Sequence, residues 1–242
     1  MLGFKGWARR RFRITLTIAL LGSVGTGDAK AEDPFWPEFD AFLKLSPSTR
    51  LLFTAEANDN RDEPKSKWIV GTYVDIFVPR FRPLLFRKIS EVDESRSQRI
   101  SVQVGYRFSH TWGTDPSQIE HRIVTDATFR WVFLDQFLGS DRNRFELRVV
   151  NGAYSWRYRN QMKISRDVSI RHTPLVPFVS GELFYDSEFQ KISRYRYEAG
   201  VTFPLGKVWA VEPYWARQKS FAPSEAISNF AGLTVQAYLH HR

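Results

Sequence analysis

Cysteine is absent from the 242 residues. That excludes a disulfide framework and any thiolate metal site. Also missing is an apolar run of the roughly 18 residues or more that a membrane-spanning helix needs. Helical periodicity is nearly absent too, and what recurs along the chain is period two. There is no Gly-rich phosphate loop, no EF-hand spacing and no H-E-x-x-H. Asp59, Asp62 and Glu63, and separately Asp93 and Glu94, read as solvated loop charges. No cofactor and no metal ion is expected.

Charge of one sign is scarcer than it first looks. The formal net charge is +9. Much of it sits in a leader: Lys5, Arg9, Arg10, Arg11 and Arg13 precede a short apolar run, Ile14 to Leu21, then small residues ending Ala29-Lys30-Ala31. This is the three-region pattern of a cleaved signal peptide, residues 1–31. Its removal takes six of the 35 basic residues and one of the 26 acidic ones, leaving +4 on residues 32–242. So small a charge does not support a phosphate-binding surface, and no nucleic-acid partner is expected. Arg9-Arg10-Arg11-Phe12 also resembles a twin-arginine export signal, which would deliver a folded, soluble periplasmic protein.

What is abundant is aromatic side chains, 15% of the chain with 8 Trp, 9 Tyr and 20 Phe. They interleave with arginine. The clearest stretch is Arg144 to Ser165, where two alternating runs flank Asn151-Gly152. Asn-Gly between alternating runs signals a type I′ hairpin, because both central positions need φ > 0. That turn sets the register. Val150 faces Ala153, Val149 faces Tyr154, Leu147 faces Trp156 and Phe145 faces Tyr158. The other face pairs Arg148 with Ser155, Glu146 with Arg157 and Arg144 with Arg159.

Similar alternation runs through about eleven segments between Phe39 and Leu239. A gap holds Pro174 and Pro177. One long irregular stretch, Pro79 to Gln98, breaks the pattern. Alternating segments of about ten residues are the signature of an antiparallel transmembrane β-barrel, and single-chain bacterial barrels use even strand numbers. Twelve strands are therefore expected, the twelfth hidden within Phe81 to Ile89. Ten is the alternative, with the first run left out.

A soluble β-sandwich also alternates. Two features favour the membrane barrel. Aromatics cluster near segment ends, as interfacial girdles require: Trp68, Tyr106, Phe108, Trp131, Phe133, Tyr154, Trp156, Tyr195, Tyr197, Phe203, Trp209, Trp215 and Tyr238. The polar faces carry Arg and Glu, which suits a confined lumen where charges must pair. The expected location is the outer membrane of a Gram-negative bacterium. The expected partners are outer-membrane lipid, periplasmic chaperones and the barrel-assembly machinery. A soluble periplasmic β-sandwich is the alternative.

Four short motifs carry a resemblance. They are Trp36-Pro37-Glu38-Phe39, Asp93-Glu94-Ser95-Arg96-Ser97-Gln98-Arg99, Asn143-Arg144-Phe145-Glu146-Leu147-Arg148 and Tyr158-Arg159-Asn160-Gln161. On these the chain from Trp36 onward resembles an uncharacterised bacterial family, domain of unknown function 2490. The resemblance implies an outer-membrane barrel and carries no activity.

The inward positions would then be Arg107, Arg122, Arg130, Arg144, Glu146, Arg148, Arg157, Arg159, Glu182, Arg194, Arg196 and Glu198, with Glu120 and Asp126 among them. Charged rings set selectivity in pores, so an arginine excess favours a small anionic solute. A narrow channel and a barrel simply filled by paired charges are the two leading roles. An outer-membrane lipid deacylase or acyltransferase is the enzymatic alternative. It needs a nucleophile, base and orienter within reach. Ser109-His110 is a poor pair, because neighbours on a strand face opposite ways. His121, His172, His240 and His241 read as rim, loop or terminal residues. No catalytic set is expected.

Overall fold

The computed structural model describes residues 35–60, 65–78, 84, 92–113, 117–221 and 225–240. The expected signal peptide, 1–31, lies outside them, as does all of 81–89 except Leu84. Twelve strands follow in order: β1 (Phe35–Ser46), β2 (Thr49–Asn60), β3 (Lys65–Phe77), β4 (Ile100–Thr111), β5 (Gln118–Phe133), β6 (Phe137–Val150), β7 (Ala153–Arg166), β8 (Val168–Ile170), β9 (Thr173–Asp186), β10 (Lys191–Leu205), β11 (Trp209–Ser220) and β12 (Ala226–His240).

All but β8 join one ring. Neighbours in the chain pair antiparallel, β7 pairs with β9, and β1 closes on β12 in parallel. One sheet thus closes on itself, and the two-sheet sandwich is not formed. Closure satisfies the backbone of every strand edge, which an open sheet could not do in lipid. The ring has eleven strands, which corrects the expected twelve and the alternative ten. Each ring strand already has two neighbours, so no edge is free for a twelfth, and the first run is in the wall as β1. An odd up-and-down ring must close in parallel, and the expectation of an even number left this closure out.

The hairpin of β6 and β7 has the register set by Asn151-Gly152. Phe145 lies opposite Tyr158, Glu146 opposite Arg157 and Arg144 opposite Arg159. Both turn residues have positive φ, 47° and 87°. Elsewhere turn chemistry was less legible. Pro174 and Pro177, read as a gap, lie inside β9. Arg171 and His172 take positive φ and fold β8 back on the start of β9. A tight turn built without Gly or Asn leaves no sequence signal.

Alternation sorts the wall into two faces. Outward positions such as Phe53, Val104, Ile123, Phe145, Tyr197 and Trp215 are exposed apolar side chains, while Glu146, Asp186 and Ser109 are fully buried inside. Outer aromatics gather near the strand ends. At the mouth where β1 begins, Trp68 packs on Phe108 and Trp112, and Trp156 stacks on Tyr185. At the other mouth Phe133 stacks on Phe137. Tyr238 does not belong to this girdle: it is buried inside and stacks on Phe42 at 4.7 Å. It shares the inward parity of Thr234 and Gln236, so its aromatic character misled.

Residues 92–99, between β3 and β4, lie at the mouth where β12 ends. Glu94–Ser97 forms one turn of 3₁₀ helix. Val92 packs into an interior cluster with Phe42, Leu52, Tyr73, Val124, Ala210 and Tyr238. The Leu84 N–H donates to the Ser97 carbonyl at 2.7 Å.

Candidate functional site: a charged lumen

The interior holds a cavity of about 520 Å³, lined by charged side chains from around the ring. A second cavity of about 220 Å³ adjoins it under the 92–99 segment, sharing Arg130, Lys163, Phe178, Glu212 and Gln236 as wall.

Strand register brings arginines side by side. Arg107, Arg122 and Arg148 are directly opposed across β4, β5 and β6, and Arg144 opposes Arg159. Like charges so placed destabilise a sheet unless an acid intervenes. Here acids intervene from opposite, diagonal and same-strand positions. Glu120 takes Arg122 at 2.6 Å and Arg148 at 2.5 Å. Glu146 takes Arg159 at 3.0 Å and stands 3.9 Å from both Arg122 and Arg157. Asp126 holds Arg144 through two bonds of 2.7 Å, and Glu182 holds Arg159 through two of 3.0 Å. Asp186 takes Arg157 at 2.7 Å and Arg148 at 3.3 Å. Paired guanidinium–carboxylate bonds of this kind are short, directional and costly to break when buried.

Arg107, Arg122, Arg130, Arg144, Arg148, Arg157, Arg159, Glu182, Arg194, Arg196 and Glu198 all line the main cavity. Glu146 lies behind them, fully buried. Arg107 pairs with Glu56 across β3, where Gly71 leaves room: a Cβ there would meet Thr54 Oγ1 at 2.7 Å. Arg130 reaches Ser101 Oγ at 3.0 Å and the Gln98 carbonyl at 3.3 Å. Arg196 donates to the Gln218 amide oxygen at 2.9 Å and lies 3.5 Å from Glu198. Arg194 makes no ion pair or hydrogen bond through its side chain, and its Nε is buried.

Several lumen residues were not singled out from the sequence. Glu38 and Asp40 on β1, Glu56 on β2 and Glu212 on β11 form an acidic arc of the same cavity. In register, Glu38 faces Glu56 on one side and Thr234 on the other, and Thr234 faces Glu212. Parity marks them, since each alternates with outward apolar residues.

At the mouth where β12 ends, Asp93 caps the 3₁₀ turn. Its Oδ1 accepts from the Ser95 N–H at 3.0 Å, the Ser95 hydroxyl at 2.6 Å and Arg50 Nη1 at 3.1 Å. Burial alone would push this carboxyl up, but Arg50 and Ser95 outweigh it and hold it below its ordinary value. Arg96 pairs with Asp167 at 2.5 Å, and Lys44 pairs with Glu94.

The histidines are scattered. Ser109 is buried inside against Glu120 at 3.3 Å, while His110 packs at a tilt on Trp112. His121 meets Tyr106 Oη at 2.6 Å. His172 sits in the β8–β9 turn. The side chain of His240, and all of His241, Asp62 and Glu63, lie outside the described residues. Among the described residues no group of three or more His, Asp or Glu side chains is placed to hold a metal ion.

No curated protein matches this sequence. Among solved structures, the chain is similar to the beta domain of the Bordetella autotransporter Brka, with a TM-score of 0.51 and 12% identity over 80% of this chain and 86% of that one. At that identity the likeness is one of fold. The model of a family described as protein of unknown function (DUF2490) matches residues 41–229, most of the chain. The chain belongs to that uncharacterised family, whose fold here is an outer-membrane-type barrel.

Proposed function

We propose that the protein is an outer-membrane barrel of a Gram-negative envelope that admits a small charged solute into a narrow lumen. The observation that carries the reading is the cavity of about 520 Å³. A barrel of about eight strands has an interior just wide enough for side chains to fill. This one keeps a polar space of the size that small-molecule sites occupy, and arginines dominate its surface. The outer apolar face with aromatics at both ends fits surrounding lipid. Insertion through periplasmic chaperones and the barrel-assembly machinery follows from that location.

The role is read as binding and passage rather than catalysis. A lipid deacylase or acyltransferase needs its nucleophile and base within hydrogen-bond reach, and Ser109 and His110 lie on opposite faces of the wall.

Heat-modifiable gel migration and recovery in the outer-membrane fraction test the barrel and its location. A protein found free in the periplasm overturns both. Single-channel recording in planar bilayers tests passage. The expected result is a small conductance limited by the 92–99 segment. An intact barrel with no current above background returns the protein to a structural role.

A further inference from the structure

Arginines outnumber carboxylates at the cavity surface, yet Glu120, Glu146 and Asp186, buried behind them, nearly restore the balance. What remains is separation. Four strands lie either way between β1 and the β6–β7 hairpin, so the two stand across the lumen from each other. The β1 arc is acidic and the facing arc is cationic.

Both arcs hold groups without an ion pair or side-chain hydrogen bond among the described residues. Glu38 and Asp40 make no ion pair or side-chain hydrogen bond, and Asp40 Oδ1 is buried with none. Their inward neighbours on β12 are Thr234 and Gln236, which bring no positive charge. Among the cavity's cations Arg194, on β10, has no ion pair or hydrogen bond to a described residue, and its guanidinium lies 5.1 Å over the Phe184 ring. It follows a β-bulge: Ile192 pairs with Tyr185 and Arg194 with Phe184, leaving Ser193 as the extra residue. The bulge turns Ser193 and Arg194 to the same, inner side, and bulges re-aim side chains in this way beside functional sites. Burying a charge without a partner is costly. A filled lumen would pair these groups with one another, whereas here all three line the same cavity unpaired.

We infer that the lumen is a binding site for a small zwitterion, an amino acid or short peptide, whose carboxylate meets Arg194 and whose ammonium meets Glu38 and Asp40. This rests on the reading that solutes enter the lumen, and it names the class. An anion alone would satisfy only one wall. A solute carrying both charges replaces the water on both.

The test uses the full folded barrel and four forms of one dipeptide, alanyl-alanine: free, N-acetylated, C-amidated and blocked at both ends. Titration calorimetry in detergent reads binding. The free form binds roughly tenfold or more tighter than either singly blocked form, the worth of one hydrogen bond to a charged group. In Glu38→Gln/Asp40→Asn the free and N-acetylated forms become equal. In Arg194→Gln the free and C-amidated forms become equal. None of these substitutions breaks an ion pair, and heat-modifiable migration verifies folding of each variant. Equal binding of free and N-acetylated peptide by the unmutated barrel overturns the inference in favour of an anion site. Retention of the free-form advantage in both variants also overturns it. Liposome swelling with the doubly blocked peptide reads passage separately: no swelling alongside charge-dependent binding removes the channel reading and leaves the site standing.

Discussion

Asp126 is the acid that allows Arg144 and Arg159 to stand opposite each other. It is buried, and both its oxygens accept from Arg144 at 2.7 Å. Asp126→Asn keeps the shape and removes the charge. It leaves a buried guanidinium facing another, while Glu146 and Glu182 stay committed to Arg159. Stranding one partner of a buried pair costs about 3–5 kcal/mol, a large share of the roughly 5–15 kcal/mol that holds an ordinary domain. Adding Arg144→Gln removes the stranded charge, so the double variant recovers most of that loss despite carrying two changes. Equilibrium urea unfolding in phospholipid vesicles, followed by tryptophan fluorescence, measures both. Because the pair is largely buried, the loss changes less between low and high salt than that of a surface pair. An Asp126→Asn variant within about 1 kcal/mol of the parent, well under the cost of a stranded partner, refutes the reasoning. So does a double variant no more stable than the single one.

Three further outcomes test other parts of the molecule. Val104→Arg places a charge on the exposed outer face of β4 and costs about 2–4 kcal/mol if that face meets the bilayer midplane; an effect near zero in vesicle unfolding would remove the lipid contact. Gly152→Val forces a β-branched residue to φ +87° and loses about 1–3 kcal/mol through backbone strain alone, since a Cβ there touches nothing; a neutral result contradicts the type I′ turn. Asp93 titrates below its ordinary value when folded, so its link to Arg50 is intact at neutral pH. That stabilisation is present above the unfolded carboxyl value of about 3.9 and fades as the pH falls below it. Pepsin cleavage within 78–99 should therefore accelerate as the pH drops through that range, and Asp93→Asn should abolish the step; an unchanged step in the variant assigns it elsewhere.

The parts of the fold that were legible rest on local chemistry. Asn151-Gly152 dictated a turn type, the turn dictated a register, and the register put Arg144 against Arg159. Parity then separated Glu146 and Arg157 from Phe145 and Trp156. The illegible parts depend on what lies beyond the strand. Which acid serves which arginine is decided by what stands on the strands around it, as with Glu120, which takes Arg122 on its own strand and Arg148 on the next. The unpaired state of Glu38 and Asp40 could not be read, because it depends on β12 lying beside β1, a contact between chain ends. Tyr238 was placed by its aromatic ring rather than its parity, and parity was the better guide.

The odd ring and the acidic arc have one cause. Closing eleven strands forces β1 against β12 in parallel, a pairing slightly weaker per residue than antiparallel. Interior aromatics reinforce that seam at both ends: Trp36 stacks on Phe230 at 3.7 Å and Phe42 on Tyr238 at 4.7 Å. Each pair is worth about 0.5–1.5 kcal/mol beyond its burial, enough to offset a modest deficit in the ladder. Between the two clamps the seam's inner face is Glu38 and Asp40 against Thr234 and Gln236. Most inward arginines along β4 to β9 meet an acid, as Arg122, Arg144, Arg148, Arg157 and Arg159 do, but the seam supplies no cation for these acids. They are held by backbone pairing and by the aromatic clamps, not by counter-ions. The two side chains are therefore fixed in place with hydrogen-bonding capacity unspent. That combination distinguishes a site able to receive a cationic group from a wall packed to be full.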